Sequence, residues 1–387
     1  MVDTATGLEQ EMSYFEKVFH KGSDLPDQKI ERIETFQSNH ADLAKLYLLD
    51  GRTLMAKHYK DMDNRRPEGP SRKAICDPDA LGMREHRSLV NIEHLVRPNL
   101  VPHSHGVHTN RILYTEFIEG ECYGNLLDNY ANEYRSCKQD SHGKPFRLKK
   151  EARFLLYDLV EDVAKFNGWC TRQAKNLTDA FPEYERDHNS RFQLRLEGIE
   201  EILARHSNTG STRASVKGEI TKIQNWYEEL GAKKVFSHGD LNPHHIIRVK
   251  ADDPVNRSRF IDLEQFGIHY EGTDLSAALL YRPIGIATIT RQIEFDHLMN
   301  RYLCFEHAAR TGSDEDIQKL SRLKRENFVS HMEKNKIITV KEYARFYCSF
   351  FIESILKGIE LQALDKNDEI RAKTLDELTL IIETIRG

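Results

Sequence analysis

The run richest in side chains that could do chemistry is Phe236-Ser-His-Gly-Asp-Leu-Asn-Pro-His-His-Ile-Ile-Arg-Val249. A polar connection, Lys250 to Ser258, reads as a surface turn. Arg259-Phe-Ile-Asp-Leu-Glu264 then returns as a strand able to pair with Ile246 to Val249. The pattern strand, loop, strand, turn, strand puts Asp240 in a loop and Asp262 near the end of a neighbouring strand, so that both carboxylates can face one cavity. Phosphoryl transfer needs such a pair. One carboxylate orients the attacking hydroxyl, and the other holds the divalent ion that neutralises the phosphates. Asp240 suits the first role and Asp262 the second. A carboxylate flanked by Ile261 and Leu263 is costly to bury alone, and a metal would supply the missing partner.

These residues resemble the loop and strand of the aminoglycoside phosphotransferase and choline kinase family. Its catalytic loop reads H-G-D, four residues, then Asn, with a metal-binding Asp on the following hairpin strand, often within I-D-x-E. Here His238-Gly239-Asp240 and Ile261-Asp262-Leu263-Glu264 resemble those two motifs. Gly272-Thr273-Asp274-Leu275 resembles the family's G-x-D-L segment, whose Asp braces the loop. Asp50 to Lys57 resembles the strand bearing the phosphate-contacting Lys, Arg84 to Leu89 the helix whose Glu pairs with it, and Leu113 to Gly120 the adenine hinge.

The resemblance covers roughly residues 30 to 285. It implies a protein-kinase-like α+β fold, with a small β-rich N-terminal lobe (1–117) and a large, mainly helical C-terminal lobe (118–387). It further implies a kinase using ATP or GTP with Mg²⁺ or Mn²⁺. Its carry-over makes Asp240 catalytic, Lys57, steadied by Glu85, the phosphate contact of the nucleotide site, and Ser38 and Asn39 part of the nucleotide loop. Backbone groups of Glu116 and Ile118 would bind the base, and Asp262, Glu264 and His245 would hold the metal. The acceptor would be a hydroxyl of an amino sugar, a sugar, an amino alcohol or a hydroxylated amino acid.

Two departures matter. His245 stands where the family has its second metal-binding Asn, and Mg²⁺ prefers oxygen to imidazole. The lipopolysaccharide core sugar kinases resemble the chain here, with His at this place and a later I-D-L strand, although they carry Arg where this chain has Gly239. That likeness adds a glycolipid sugar to the acceptors. The nucleotide loop, Ser38 to Asp42, has no glycine to let backbone approach phosphate closely. Both departures keep alive a competing reading, a nucleotide-binding pseudokinase acting as a scaffold. A protein kinase stands behind it, since no A-P-E segment follows Asp262.

The elements that must position these residues are also readable. Ile30 to Phe36, Leu43 to Leu49 and Thr53 to Tyr59 read as strands, with Asp50-Gly51 a hairpin signal between the last two. Lys57 alternates with Met55 and Tyr59 and shares their face, with Lys60 the competing lysine opposite. Ala80 to Leu95 reads as a helix, and Leu100 to His103 and Arg111 to Phe117 as strands. Helices are expected at 10–20, Cys122 to Tyr130, Glu151 to Trp169, Ser211 to Leu230 and Tyr343 to Leu361, with a polar loop from Ala131 to Lys150.

Composition sets the outer limits. With 56 basic and 61 acidic residues the chain has a net charge of −5, which argues against nucleic acid as the partner. Polar residues 1–12 hold no readable signal peptide, and the apolar stretches are broken by charge, so no membrane span is expected. Cys76, Cys122, Cys137, Cys170, Cys304 and Cys348 form no CxxC pair. They read as thiols of a cytoplasmic protein.

Overall fold

A computed structural model describes residues 24–25, 28–37, 41–59, 78–137, 150–184, 192–193, 195–197, 212–250, 252–280, 292–324 and 327–360. The helix expected at 10–20, the nucleotide-loop residues Ser38 and Asn39, and Lys60 lie outside them. The chain divides into two compact units, Met1–Glu119 with Arg259–Gln265, and Gly120–Ser258 with Phe266–Gly387. The class is the α+β one expected, an antiparallel sheet region followed by a mainly helical part.

The first unit holds β1 (Ile30–Gln37), β2 (Ala41–Leu48), β3 (Thr53–Tyr59), helix α1 (Pro78–Asn91), β4 (Ser104–His108) and β5 (Ile112–Glu116). The strands form one sheet in the order β1-β2-β3-β5-β4, and every neighbouring pair is antiparallel. Gly51 turns the β2–β3 hairpin in the left-handed region at φ 86°, where a side chain would be strained. In β3 the period of two sends Leu54 and Ala56 into a core shared with Ile33, Ala44, Leu46, Leu48, Ile112 and Tyr114. Met55, Lys57 and Tyr59 take the other face.

Helix α1 packs on β3, β4 and β5. It buries Leu81, Glu85, Ser88 and Leu89, spaced as one helical face, and Ile92 extends the row into a π-helical turn, Ile92–Val96. A Cβ on Gly82 would stand 2.3 Å from the Asn110 carbonyl oxygen, so this glycine sets how closely α1 meets the β4–β5 turn. The strand expected from Leu100 to His103 begins instead at Ser104. Pro102 has no N–H to offer a ladder, and Asn99 sits at φ 58°.

The second unit opens with β6 (Glu121–Cys122), α2 (Tyr123–Cys137), α3 (Lys150–Arg172), α4 (Ala174–Ala180) and α5 (Thr212–Leu230). Then come β7 (Lys234–Ser237), β8 (Ile246–Arg248), β9 (Ser258–Phe260), where the chain passes back to the first unit, and β10 (Gly267–Tyr270). The remaining helices are α6 (Thr273–Leu280), α7 (Gln292–Thr311), α8 (Asp314–Ser321), α9 (Asn327–Asn335) and α10 (Val340–Glu360). Helix α2 runs seven residues past the expected Tyr130, because Glu133 and Arg135 continue a helix as readily as they would a loop. β7 pairs with β10, and β6 with β8.

Helix α3 is buried on every side in its second half, where it packs on α7. It buries charge as well as apolar surface. Arg257, at the foot of the β8 hairpin, reaches Asp158 at 2.7 Å, Glu161 at 2.9 Å and Asp162 at 2.9 Å. Lys165 meets Asp162 at 2.6 Å, and Tyr123 Oη donates to the same carboxylate at 2.7 Å. Burial alone would push the Asp162 carboxyl up, but Arg257 and Lys165 hold it below the usual carboxylate range. Arg257→Ala would strand these carboxylates in the core. It is expected to cost about 3–5 kcal/mol of stability, read as a lowered urea midpoint with an unchanged slope.

Candidate active site

In the first unit, Lys57 on β3 points at three carboxylates. Its Nζ lies 2.9 Å from Glu85 Oε2 and 3.4 Å from Glu264 Oε2, and it donates to Asp262 Oδ1. Glu85, only 4% exposed, also accepts from Tyr59 Oη, and its Oε1 accepts the Leu263 N–H at 3.2 Å. One buried carboxylate on α1 thereby fixes both the lysine of β3 and the segment carrying Asp262 and Glu264. Met55, Lys57 and Tyr59 share a face as the alternation predicts, which is why Tyr59 enters the cluster. Tyr59 was not singled out in the sequence, although the same period of two marks it.

Asp262 is not on a strand. β9 ends at Phe260, and Asp262 adopts φ 65° before a 3₁₀ turn, Leu263–Gln265. The left-handed region is open to Asp at small cost, whereas a β-branched residue would be strained there. The turn brings Glu264 back toward the carboxylate that precedes it, so Glu85, Asp262 and Glu264 each offer an oxygen within 4.8 Å of the others.

One ammonium faces three carboxylates. Burial alone would lower the lysine's affinity for its proton, but Asp262 and Glu85 hold it well above the ordinary value. At Glu264 burial, against the pull of Lys57 and with Asp262 beside it, raises the carboxyl to about 7. The donor set is all oxygen. Both oxygens of Glu85 are taken by protein donors, which leaves Asp262 and Glu264 as the carboxylates fit for a hard divalent cation. Mg²⁺ is commonly held by one or two carboxylates together with phosphate and water.

In the second unit the loop after β7 carries the other candidates. Gly239 takes φ 86°, and Asp274, in the first turn of α6 and fully buried, accepts the N–H groups of His238 at 2.8 Å and Gly239 at 3.0 Å. Burial raises the Asp274 carboxyl to about 7 despite these donors. Asp240 is half-buried. Its carbonyl accepts from Asn242 N–H at 3.0 Å and lies 2.8 Å from His245 Nδ1.

Asn242 is a residue the motif reading missed. It caps the turn Pro243–His245 by accepting the His244 N–H at 2.9 Å, so its amide nitrogen faces the His245 ring, 3.0 Å from Nε2. Asn followed by Pro at a helical first position was the available signal. His238 is buried and stacks on His245, with ring centroids 5.7 Å apart.

At the expected hinge, Glu116 is exposed and Ile118 half-buried. The Glu116 N–H donates to His103 O at 2.8 Å and the Phe117 N–H to Thr53 O at 3.1 Å. Ser38 and Asn39 lie outside the described residues. Glu353 of α10 is buried, and Arg195 meets it at 2.6 Å. That internal partner already balances its charge.

No protein-family model and no curated protein sequence matches the chain. Solved structures do. A macrolide 2'-phosphotransferase type I is 12% identical, over 95% of this chain and 97% of that one, with a TM-score of 0.47. An ethanolamine kinase of Plasmodium vivax is 12% identical, over 91% of this chain and 82% of that one, with a TM-score of 0.45. A GDP complex of wild-type aminoglycoside 2'-phosphotransferase-IIIa is 11% identical, over 97% of this chain and 98% of that one, with a TM-score of 0.42. At this distance no residue's role passes from them to this chain, and the reading of the site rests on its own geometry. Among the described residues no helix is long and apolar enough to cross a membrane.

The Glu264 carboxyl makes the site's charge measurable. Between its ordinary value of 4.5 and about 7, the unfolded chain has released this proton while the folded chain still holds it. Stability therefore falls as pH rises through that window. In metal-free buffer the melting temperature of Glu264→Gln is expected to fall less than that of the parent between those pH values, as scanning calorimetry would show.

Proposed function

We propose that the chain is a phosphotransferase that moves the γ-phosphoryl group of ATP or GTP to a hydroxyl of a non-protein acceptor. The observation that carries the reading is the Lys57 ammonium shared among Glu85, Asp262 and Glu264. A structural ion pair needs one carboxylate. Three around one lysine leave negative charge unbalanced, which suits a divalent cation and the phosphates it would accompany.

Each residue then has a role. Lys57, steadied by Glu85, contacts the phosphates. Asp262 and Glu264 hold Mg²⁺ or Mn²⁺. His245 is the third proposed metal ligand; its Nδ1 lies beside the Asp240 carbonyl and its Nε2 beside the Asn242 amide, which would have to turn away for the imidazole to bind the ion. Asp240 orients the acceptor hydroxyl, and Asp274 holds the loop that carries it. Backbone groups of Glu116 and Ile118 take the base, with Ser38 and Asn39 in the phosphate loop. The bound metal supplies charge neutralisation at the β- and γ-phosphates. The chain's own contribution is position.

The test is nucleotide turnover with Mg²⁺ and Mn²⁺ across amino sugars, core sugars, amino alcohols and hydroxylated amino acids. ATP and GTP are run side by side. Asp240→Ala is expected to lower kcat by about 10³-fold or more while nucleotide affinity stays within about twofold. Asp262→Asn, which keeps a residue that tolerates the left-handed backbone, is expected to lose both turnover and metal-dependent nucleotide binding. Nucleotide binding without turnover on any acceptor would favour the scaffold reading, and labelled phosphate appearing in protein would favour a protein kinase.

A further inference from the structure

The far edge of the first unit's sheet carries a second group of ligating side chains that the phosphotransferase reading does not use. His103 and His105 flank Ser104 at the start of β4, with their rings edge to face and centroids 4.7 Å apart. Asp24 Oδ1 lies 3.0 Å from His105 Nδ1, and Glu93 Oε2, in the turn after α1, lies 2.8 Å from His103 Nδ1. Asp24, His103 and His105 each offer a ligand atom within 4.8 Å of the other two.

We propose that Asp24, His103 and His105 form a binding site for a divalent transition-metal ion of the zinc type. Donors around tetrahedral Zn²⁺, at bonds of about 2.0–2.1 Å, stand roughly 3.3 Å apart. The Asp24–His105 separation of 3.0 Å is already close to that value, and His103 offers its atom within 4.8 Å of both. Glu93 supplies what a ligating histidine usually has, a carboxylate on its other ring nitrogen, so His103 binds through Nε2. Three protein donors leave the fourth position to water.

Two imidazoles and one carboxylate select zinc, cobalt or nickel over magnesium, the reverse of the all-oxygen donors at Asp262 and Glu264. Without an ion, the same contacts would be exposed His–carboxylate pairs, which contribute little. Asp24 is 56% exposed at its side chain and His103 46%, so an ion reaches them from solvent.

The ion would act as a clasp. Asp24 precedes β1, at one edge of the sheet, yet its N–H donates to the His105 carbonyl on β4, at the other edge. Leu25 packs against the sheet's core. Metal on Asp24, His103 and His105 would pin the chain's approach to β1 onto β4 and cover part of an edge strand.

The test uses the full chain stripped of metal and titrated with Co²⁺ and then Zn²⁺, with excess Mg²⁺ present to fill all-oxygen sites. One equivalent of Co²⁺ is expected to give visible d–d absorption that Zn²⁺ abolishes. Zn²⁺ is also expected to slow deuterium uptake at the Asp24 and Leu25 amides. Glu93→Gln should weaken Zn²⁺ about ten- to hundredfold, and His103→Gln or Asp24→Asn by more, each variant melting like the parent in chelator. Absence of Co²⁺ absorption overturns the proposal. So does Zn²⁺ affinity unchanged in both His103→Gln and Asp24→Asn, which would put the ion elsewhere.

Discussion

The first unit turns on the part-buried ammonium of Lys57. Lys57 emerges from β3 on the face away from the sheet's main core, and Glu85 on α1 meets it. The same Glu85 takes the backbone of Leu263, so three parts of the chain distant in sequence converge on one carboxylate. Removing an ion from water is costly unless it is paired and hydrogen-bonded, and here the lysine meets three carboxylates and the Tyr59 ring. The cluster still carries more negative than positive charge. Burial, against the pull of Lys57 and with Asp262 beside it, leaves Glu264 a carboxyl that holds its proton far longer than usual.

The second unit solves a similar problem differently. Its His238–Asp240 loop is held by neutral backbone donors on Asp274, a carboxylate placed by the start of α6. Its hairpin is held by Arg257, whose guanidinium spans carboxylates one helical turn apart on α3. Arginine suits that place because its planar fork meets several oxygens at once. In both units a loop with irregular backbone is tied down by buried charge rather than by apolar packing alone.

Much of this was legible in the residues. The alternation of Met55, Lys57 and Tyr59 defined a face, and Asp50-Gly51 marked the hairpin that sets its register. The pairing of Glu85 with Lys57 came from the family resemblance alone, since a charged residue on a helix by itself reads as solvated; the structure buries it. What escaped was of two kinds. Long-range charge pairing leaves no local trace, and Arg257 and Asp162 stand 95 residues apart, as Asp24 and His105 stand 81 apart. Short elements lack a period long enough to read, as with β10, and Asp262 lies in a left-handed turn where its neighbours Ile261 and Leu263 suggest a strand.

The first unit is not contiguous in the chain. It is closed only when Arg259–Gln265 joins residues that precede Gly120. A ribosome that has made the sheet and α1 has made Lys57 and Glu85, a neutral pair, but neither Asp262 nor Glu264. The acidic surplus arrives with Asp262 and Glu264, after all of the intervening second-unit segment has been synthesised. A fragment cut at Glu119 would therefore be a sheet and a helix without Asp262 and Glu264. Any attempt to transplant this unit into another protein must carry the distant heptapeptide with it.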